Sequence, residues 1–135
     1  VVPEKHKDVF LQEKKVYKTV AYSDYSLQTF FEKAKTQDWF KNTIFVITAD
    51  HTCGTRYEEK YKNKIGRYAI PLLIFSGDSS LQASVKNIVQ QIDILPTTLE
   101  LLGYNKPFFA FGKSMLSDES WALSYLQNNM QAITI

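Results

Sequence analysis

The stretch TIFVITADH, Thr43 to His51, decides the fold that the sequence predicts. Its β-branched and aromatic residues are typical of a pleated, buried strand. The apolar run lacks regular alternation, which favours burial on both faces, as in a parallel sheet flanked by helices. In open α/β sheets, ligands bind beyond the carboxyl ends of the strands, and a carboxylate and an imidazole stand at that end here. The stretch therefore predicts an α/β fold with a site after this strand.

Asp50 and His51 are the candidate metal ligands of the sequence. A carboxylate oxygen and an imidazole nitrogen together suit Zn²⁺, Mn²⁺ or a related divalent ion. An Asp-His pair at a strand end also occurs as a hydrogen-bonded turn that holds no metal. The pair alone leaves both interpretations open.

The bulk properties of the chain limit its class. A chain of 135 residues corresponds to one domain and is long enough for a sizeable core. The formal net charge of +2 and the dispersed lysines argue against a nucleic-acid partner. No run approaches the ~20 apolar residues of a membrane span. The chain opens with Val1 instead of Met and has no signal peptide, so we expect a piece of a longer protein.

Two helices and a second strand are predicted around the first strand. Residues 16–35 carry apolar residues at mostly helical spacing, which predicts a helix. Residues 68–76 predict a second strand, with Pro71 at its start or on an edge. Residues 93–102 predict a second helix, in which Asp93 is the N-cap and Gly103 stands at C′.

The last third of the chain predicts an aromatic loop and a hairpin. The loop covers residues 104–111, and we expect its aromatic rings to cover the edge of the core, although a partner surface is the alternative. The hairpin has arms at residues 121–126 and 130–135, joined by Gln127-Asn128-Asn129.

The loop after Asp50-His51 supplies further candidates, because loops at this end of a strand often carry function. Arg56 and Arg67 are suited to bind an anionic group of a substrate; the alternative is that each is solvated or ion-paired. Cys53 is expected to be a packed or free thiol and His6 an exposed histidine, so neither is assigned to the site.

Several ordered motifs resemble the C-terminal part of the alkaline-phosphatase-like sulfatase superfamily. Within it, the chain resembles the lipoteichoic acid synthase and phosphoglycerol transferase branch. The motifs cover most of residues 16–116, and they are the stretches 42–51, 66–75 and 91–103, the tetrapeptide Phe111-Gly112-Lys113-Ser114, and Tyr22-x-Asp24 with Leu27 and Phe30-Phe31. Thr52-Cys53-Gly54 departs from the pattern, since many relatives have Gly directly after the pair.

The resemblance implies a single α/β domain over residues 1–135 that is the C-terminal part of a larger alkaline-phosphatase-like catalytic domain. The implied fold of these residues has a mostly parallel sheet flanked by helices and a C-terminal β-hairpin. Asp50 and His51 match the pair that binds the catalytic divalent ion. The ion that the resemblance implies is Mn²⁺, with Ca²⁺, Mg²⁺ and Zn²⁺ as alternatives. The implied partners are the rest of that domain and an anionic phosphate- or sulfate-bearing substrate, with no nucleic acid.

The implied function is a metal-dependent phosphotransferase or phosphodiesterase of the bacterial cell envelope, with an upstream Thr nucleophile that this chain lacks. A sulfatase with an upstream formylglycine is the first alternative, and a non-catalytic fragment or binding domain is the second. The resemblance also implies a membrane protein whose catalytic domain lies outside the cytoplasm. The 135 residues alone are expected to be inactive.

Overall fold

A computed structural model describes residues 15–52, 58–81, 84–126 and 129–134 of the chain. The chain divides into two compact units, Val1–Gln82 and Ala83–Ile135. The single domain over residues 1–135 stays a prediction, and His6 lies outside the described residues. In the part that the structure describes, no helix combines the length and the apolar character needed to cross a membrane.

The first unit contains one long helix and one pair of strands. Helix α1 spans Lys15–Ala34, strand β1 Ile44–Thr48 and strand β2 Leu72–Ser76. Short 3-10 turns lie at Phe40–Asn42, Glu59–Tyr61 and Gly66–Tyr68. The bounds of α1 agree to within one residue with the predicted helix over residues 16–35. Both predicted strands are confirmed as elements, in shortened form.

Phe45 of β1 is the centre of the packing in this unit. Its ring stacks on Phe75 of β2 with the centroids 5.1 Å apart, and it meets Phe31 of α1 edge-on at 5.1 Å. Phe40, in the turn before β1, lies 5.2 Å from the same ring. Such aromatic pairs contribute about 0.5–1.5 kcal/mol each beyond the area they bury. The cluster packs α1 against both strands and so holds in place the strand that precedes Asp50 and His51.

The prediction of a mostly parallel sheet is wrong for the strands that the structure describes. β1 and β2 pair antiparallel, with Ile44 opposite Ser76 and Thr48 opposite Leu72. A parallel pair needs a crossover connection, usually a helix. The described residues between these strands, 49–52 and 58–71, form only 3-10 turns and irregular structure, and the chain returns in the opposite direction. Residues 44–47 are half-buried, a pattern that does not report strand direction.

The second unit contains a short helix and a second antiparallel strand pair. Helix α2 spans Ile94–Leu101, strand β3 Trp121–Leu126 and strand β4 Asn129–Thr134. β3 and β4 occupy the positions of the two predicted hairpin arms, with β4 beginning one residue earlier than its arm. Gly103 has a φ of 69°, which fits the predicted C′ position of α2.

The interior of the second unit is organised around a polar side chain. Asp93 occupies the N-cap position of α2, as predicted, but its side chain does not bond to that helix. Instead its Oδ2 accepts from the backbone N–H of Gln90 at 2.9 Å, and its Oδ1 accepts from the backbone N–H of Lys113 at 2.9 Å. The side chain is 0% exposed. Asp93 therefore joins the start of α2 to a segment twenty residues further along the chain.

The prediction that the aromatic loop covers the core is wrong. Phe109 is 78% exposed and Phe111 80% exposed, and their rings meet edge-on at 5.0 Å. The bond from Lys113 to Asp93 holds the end of this segment. The two rings instead line an open apolar groove of about 660 Å³ together with Ile92 and Leu95.

Candidate metal centre

Asp50 and His51 lie in the turn that directly follows β1. Their side chains are 86% and 77% exposed. Oδ2 of Asp50 lies 3.4 Å from Nε2 of His51, while Oδ1 accepts a hydrogen bond from the backbone N–H of His51 at 2.9 Å. The two side chains that the sequence singled out therefore face each other at the end of the strand.

The separation of these two atoms fits a shared divalent ion. Ligand distances of about 2.1 Å and a tetrahedral angle place neighbouring donor atoms about 3.4 Å apart. The observed 3.4 Å between Oδ2 and Nε2 equals that spacing. A carboxylate oxygen with an imidazole nitrogen is also a donor set that Zn²⁺ and Mn²⁺ accept. The residues present thus fit two positions of a metal site.

The pair supplies only part of a coordination shell. Among the residues that the structure describes, no group of three or more His, Cys, Asp and Glu side chains is placed to hold a metal ion. A structural or catalytic ion takes at least three protein ligands in known zinc sites. Further donors would have to come from outside the described residues.

Two hydrogen bonds tie the end of β1 to the chain that leads into β2. The hydroxyl of Thr48 donates to the carbonyl of Pro71 at 3.0 Å. The hydroxyl of Thr52 donates to the carbonyl of Arg67 at 2.6 Å. Because these bonds lie on either side of Asp50 and His51, both ends of the turn that carries the pair are anchored.

The backbone of Arg67 contacts the residue that follows the pair. Its carbonyl accepts from Thr52, the residue that directly follows His51. Among the described residues its guanidinium has no carboxylate partner. Arg56 and Cys53 lie outside the described residues, so their predicted roles stay predictions.

Thr52 and Asn63 position the site and were not identified from the sequence. Oδ1 of Asn63 accepts from the backbone N–H groups of Ile65 and Gly66 at 3.0 and 2.7 Å, which shapes the 3-10 turn that carries Arg67. An Asn a few residues before such a turn is a recognised local signal for side-chain to backbone bonding. The contact between Thr52 and Arg67 spans fifteen residues, and no local pattern indicates it.

Comparisons with known proteins show which family the chain resembles. A family model described as Sulfatase matches residues 12–104. Phosphoglycerol transferase I of Escherichia fergusonii is 31% identical over 110 residues, which are 82% of this chain and 14% of that protein. Phosphoglycerol transferase I of Citrobacter koseri is 28% identical over 119 residues, 88% of this chain and 15% of that protein.

A third relative, Phosphoglycerol transferase I of Salmonella typhi, is 31% identical over 110 residues, again 82% of this chain and 14% of that protein. The chain thus spans about one seventh of the length of the curated relatives it matches. No solved structure matches the chain.

Proposed function

Since the matching model covers most of its length, the chain belongs to the sulfatase family, and we propose that it supplies Asp50 and His51 as two ligands of a divalent ion in a phosphoryl-transfer enzyme. The observation that carries the proposal is the 3.4 Å separation of Oδ2 and Nε2 at the end of β1. The proposed activity is that of a phosphotransferase or phosphodiesterase, because the curated relatives bear the name Phosphoglycerol transferase I.

The chemistry of the site follows from its donor atoms. A bound divalent ion would stabilise negative charge that develops on a phosphoryl oxygen. Asp50 would hold it with an anionic oxygen and His51 with a neutral nitrogen, and Mn²⁺ is the ion we propose, with Ca²⁺, Mg²⁺ and Zn²⁺ as alternatives. The nucleophile, a Thr in this proposal, belongs to a part of the enzyme outside this chain.

Arg67 is proposed to bind the anionic group of the substrate. Its backbone carbonyl accepts from Thr52, the residue after His51, and a guanidinium forms strong paired hydrogen bonds with phosphate oxygens. Arg56 is proposed for the same role on its sequence position alone.

The proposed setting is the bacterial cell envelope. We propose that the rest of the catalytic domain is the main partner of these residues, and that it supplies the missing donors and the nucleophile. The substrate is proposed to be an anionic, phosphate-bearing envelope polymer or lipid. Membrane attachment, with the catalytic domain outside the cytoplasm, belongs to the parent protein in this proposal.

Sulfate-ester hydrolysis is the second candidate function, favoured by the description of the matching family model. The two functions share the metal pair and differ in the group transferred. Assays of the longer gene product with a phosphodiester and with a sulfate ester separate them, since each function predicts turnover of one ester. Loss of that turnover in an Asp50→Ala variant would show that it depends on the metal pair. A protein active on neither ester would favour a binding role for the domain.

The metal proposal is tested by titrating the 135-residue chain with Mn²⁺ and recording the paramagnetic broadening of its amide signals. We expect weak binding, with broadening centred on residues 48–52. Asp50→Asn and His51→Gln should each remove that local broadening, while Asp38→Asn, a change at another exposed aspartate, should leave it intact. Broadening that is unchanged in both ligand variants would contradict the proposal.

A further inference from the structure

The carbonyl oxygen of Thr52 lies 2.8 Å from Nδ1 of His51. A carbonyl only accepts hydrogen bonds, so this contact favours a proton on Nδ1. Oδ2 of Asp50 is also an acceptor, but it lies 3.4 Å from Nε2, beyond the usual hydrogen-bond distance. In a neutral imidazole only one nitrogen is protonated, and the other keeps its lone pair. This contact therefore leaves Nε2, the nitrogen that faces Asp50, as the nitrogen able to bind a metal.

Thr52 is itself held in place by its side chain. The hydroxyl donates to the carbonyl of Arg67 at 2.6 Å. That bond ties the side chain of Thr52 to the neighbouring turn. It thereby restricts the backbone of Thr52, and with it the direction of the carbonyl that meets His51. One residue thus contacts the imidazole through its backbone and the neighbouring turn through its side chain.

The turn that receives this bond is firmly built. Asn63 accepts two backbone N–H groups within it, and Gly66 is buried against the carbonyl of Lys60. The backbone N–H of Arg67 also bonds to the carbonyl of Asn63 at 3.2 Å. The hydroxyl of Thr52 is therefore anchored to a carbonyl whose own position is set by several hydrogen bonds.

We infer that Thr52 is a positioning residue, which fixes the Nδ1–H tautomer of His51 and so directs Nε2 towards the metal position. Ligating histidines in metal sites commonly donate their other N–H to a carbonyl or carboxylate, and loss of such a partner typically weakens metal binding by about 10–100-fold. This inference deepens the proposed function and rests on it for the metal, whereas the tautomer is a property of the chain alone.

The first measurement is the tautomer of His51, read from the ¹⁵N signals of the imidazole well above the usual titration range of histidine. A His6→Gln background leaves His51 as the single histidine. We expect the Nδ1–H form to dominate in this background, although a histidine in water prefers the Nε2–H form. Dominance of the Nε2–H form in the folded chain would overturn the inference, whatever the variants show.

The variants test whether the hydroxyl of Thr52 is responsible. Thr52→Val keeps the shape of the side chain and removes the donor, so the tautomer population should move towards Nε2–H. Mn²⁺ should then bind about 10-fold more weakly. Thr52→Ser keeps the donor, so its tautomer population and its Mn²⁺ affinity should equal those of the chain with Thr52.

Thr43→Val is the matched control, because the hydroxyl of Thr43 makes the same kind of bond, to the carbonyl of Trp39 at 2.8 Å. It should change neither the tautomer nor Mn²⁺ binding. A folded Thr52→Val protein with an unchanged tautomer would overturn the role of Thr52. A tautomer shift in a chain that shows no local Mn²⁺ binding would support the positioning role and contradict the proposed metal site.

Discussion

Nζ of Lys113 lies 3.4 Å from Oδ2 of Asp93, in an ion pair whose lysine side chain is 8% exposed and whose aspartate side chain is 0% exposed. The same ammonium lies 3.4 Å from the carbonyl oxygen of Ile88 and 5.2 Å from the ring centre of Trp121. The charge of Lys113 is thus removed from water and balanced chiefly by one carboxylate.

Asp93→Asn should destabilise the chain strongly. The change leaves Lys113 without its counter-charge in a buried place, and breaking a buried pair costs about 3–5 kcal/mol. We expect a loss near the lower end, about 3 kcal/mol, since an amide oxygen still accepts from the backbone N–H of Lys113. Urea-induced unfolding measures it. Asp118→Asn, at an exposed position of the same unit, is the control and should change stability little. Equal effects of the two substitutions would contradict the account.

Neighbouring threonines of α2 should respond differently to the same change. The hydroxyl of Thr97 donates to the carbonyl of Asp93 at 2.6 Å and accepts from the backbone N–H of Met115 at 2.9 Å. Thr97→Val leaves that N–H buried and unpaired, which costs about 1–3 kcal/mol. The hydroxyl of Thr98 is buried without a partner among the described residues. Thr98→Val should therefore be neutral or stabilising in the same unfolding measurement.

A destabilised Thr98→Val protein would show that its hydroxyl has a partner, and would remove the contrast between the two positions.

Features of this structure that depend on neighbouring residues could be predicted from the sequence, whereas contacts between residues far apart in the chain could not. The bounds of α1 and the C′ role of Gly103 follow from periodicity and from a positive φ, which are local properties. The partners of Asp93 and Thr52 lie twenty and fifteen residues away, so no local pattern indicated them. The parallel sheet was predicted wrongly for a related reason. The burial of a strand does not show the direction in which the chain returns to form the next strand.

Two glycines should tolerate alanine unequally. A Cβ on Gly66 would lie 1.7 Å from the carbonyl oxygen of Lys60, so backbone must move and the cost should reach about 3 kcal/mol. A Cβ on Gly103 would meet nothing within 4 Å, and the cost is that of a left-handed backbone conformation, about 1 kcal/mol. Thermal unfolding of Gly66→Ala and Gly103→Ala gives the comparison. A Gly66→Ala protein as stable as Gly103→Ala would contradict the packing of that turn.

Asp78 should make the stability of the chain depend on pH in acid. Hydrogen bonds from the hydroxyl of Ser76, and then from the backbone and hydroxyl of Ser80, lower the pKa of Asp78 from 3.8 to about 2. Because the pKa is lower in the folded state, this contribution to stability is present above the unfolded value and is lost as the pH falls from 3.8 towards 2.

Asp78→Asn removes this contribution. The difference in the free energy of unfolding between the wild-type chain and Asp78→Asn should be constant above pH ~5 and shrink below it, over the range in which the chain stays folded. Urea titrations at successive pH values measure it, and Asp38→Asn serves as the exposed control. A difference that stays constant down to the acid limit would contradict the role of Asp78.

The polar centre of the second unit has a thermodynamic consequence. Among the described residues, its most completely buried side chains are those of Asp93 and Thr97, at 0% and 2% exposure. Unfolding that exposes apolar surface raises the heat capacity, whereas exposure of polar surface lowers it. The second unit should therefore unfold with a small change in heat capacity for its size. Its stability curve would be correspondingly flat, so that its resistance to unfolding varies little with temperature around the optimum.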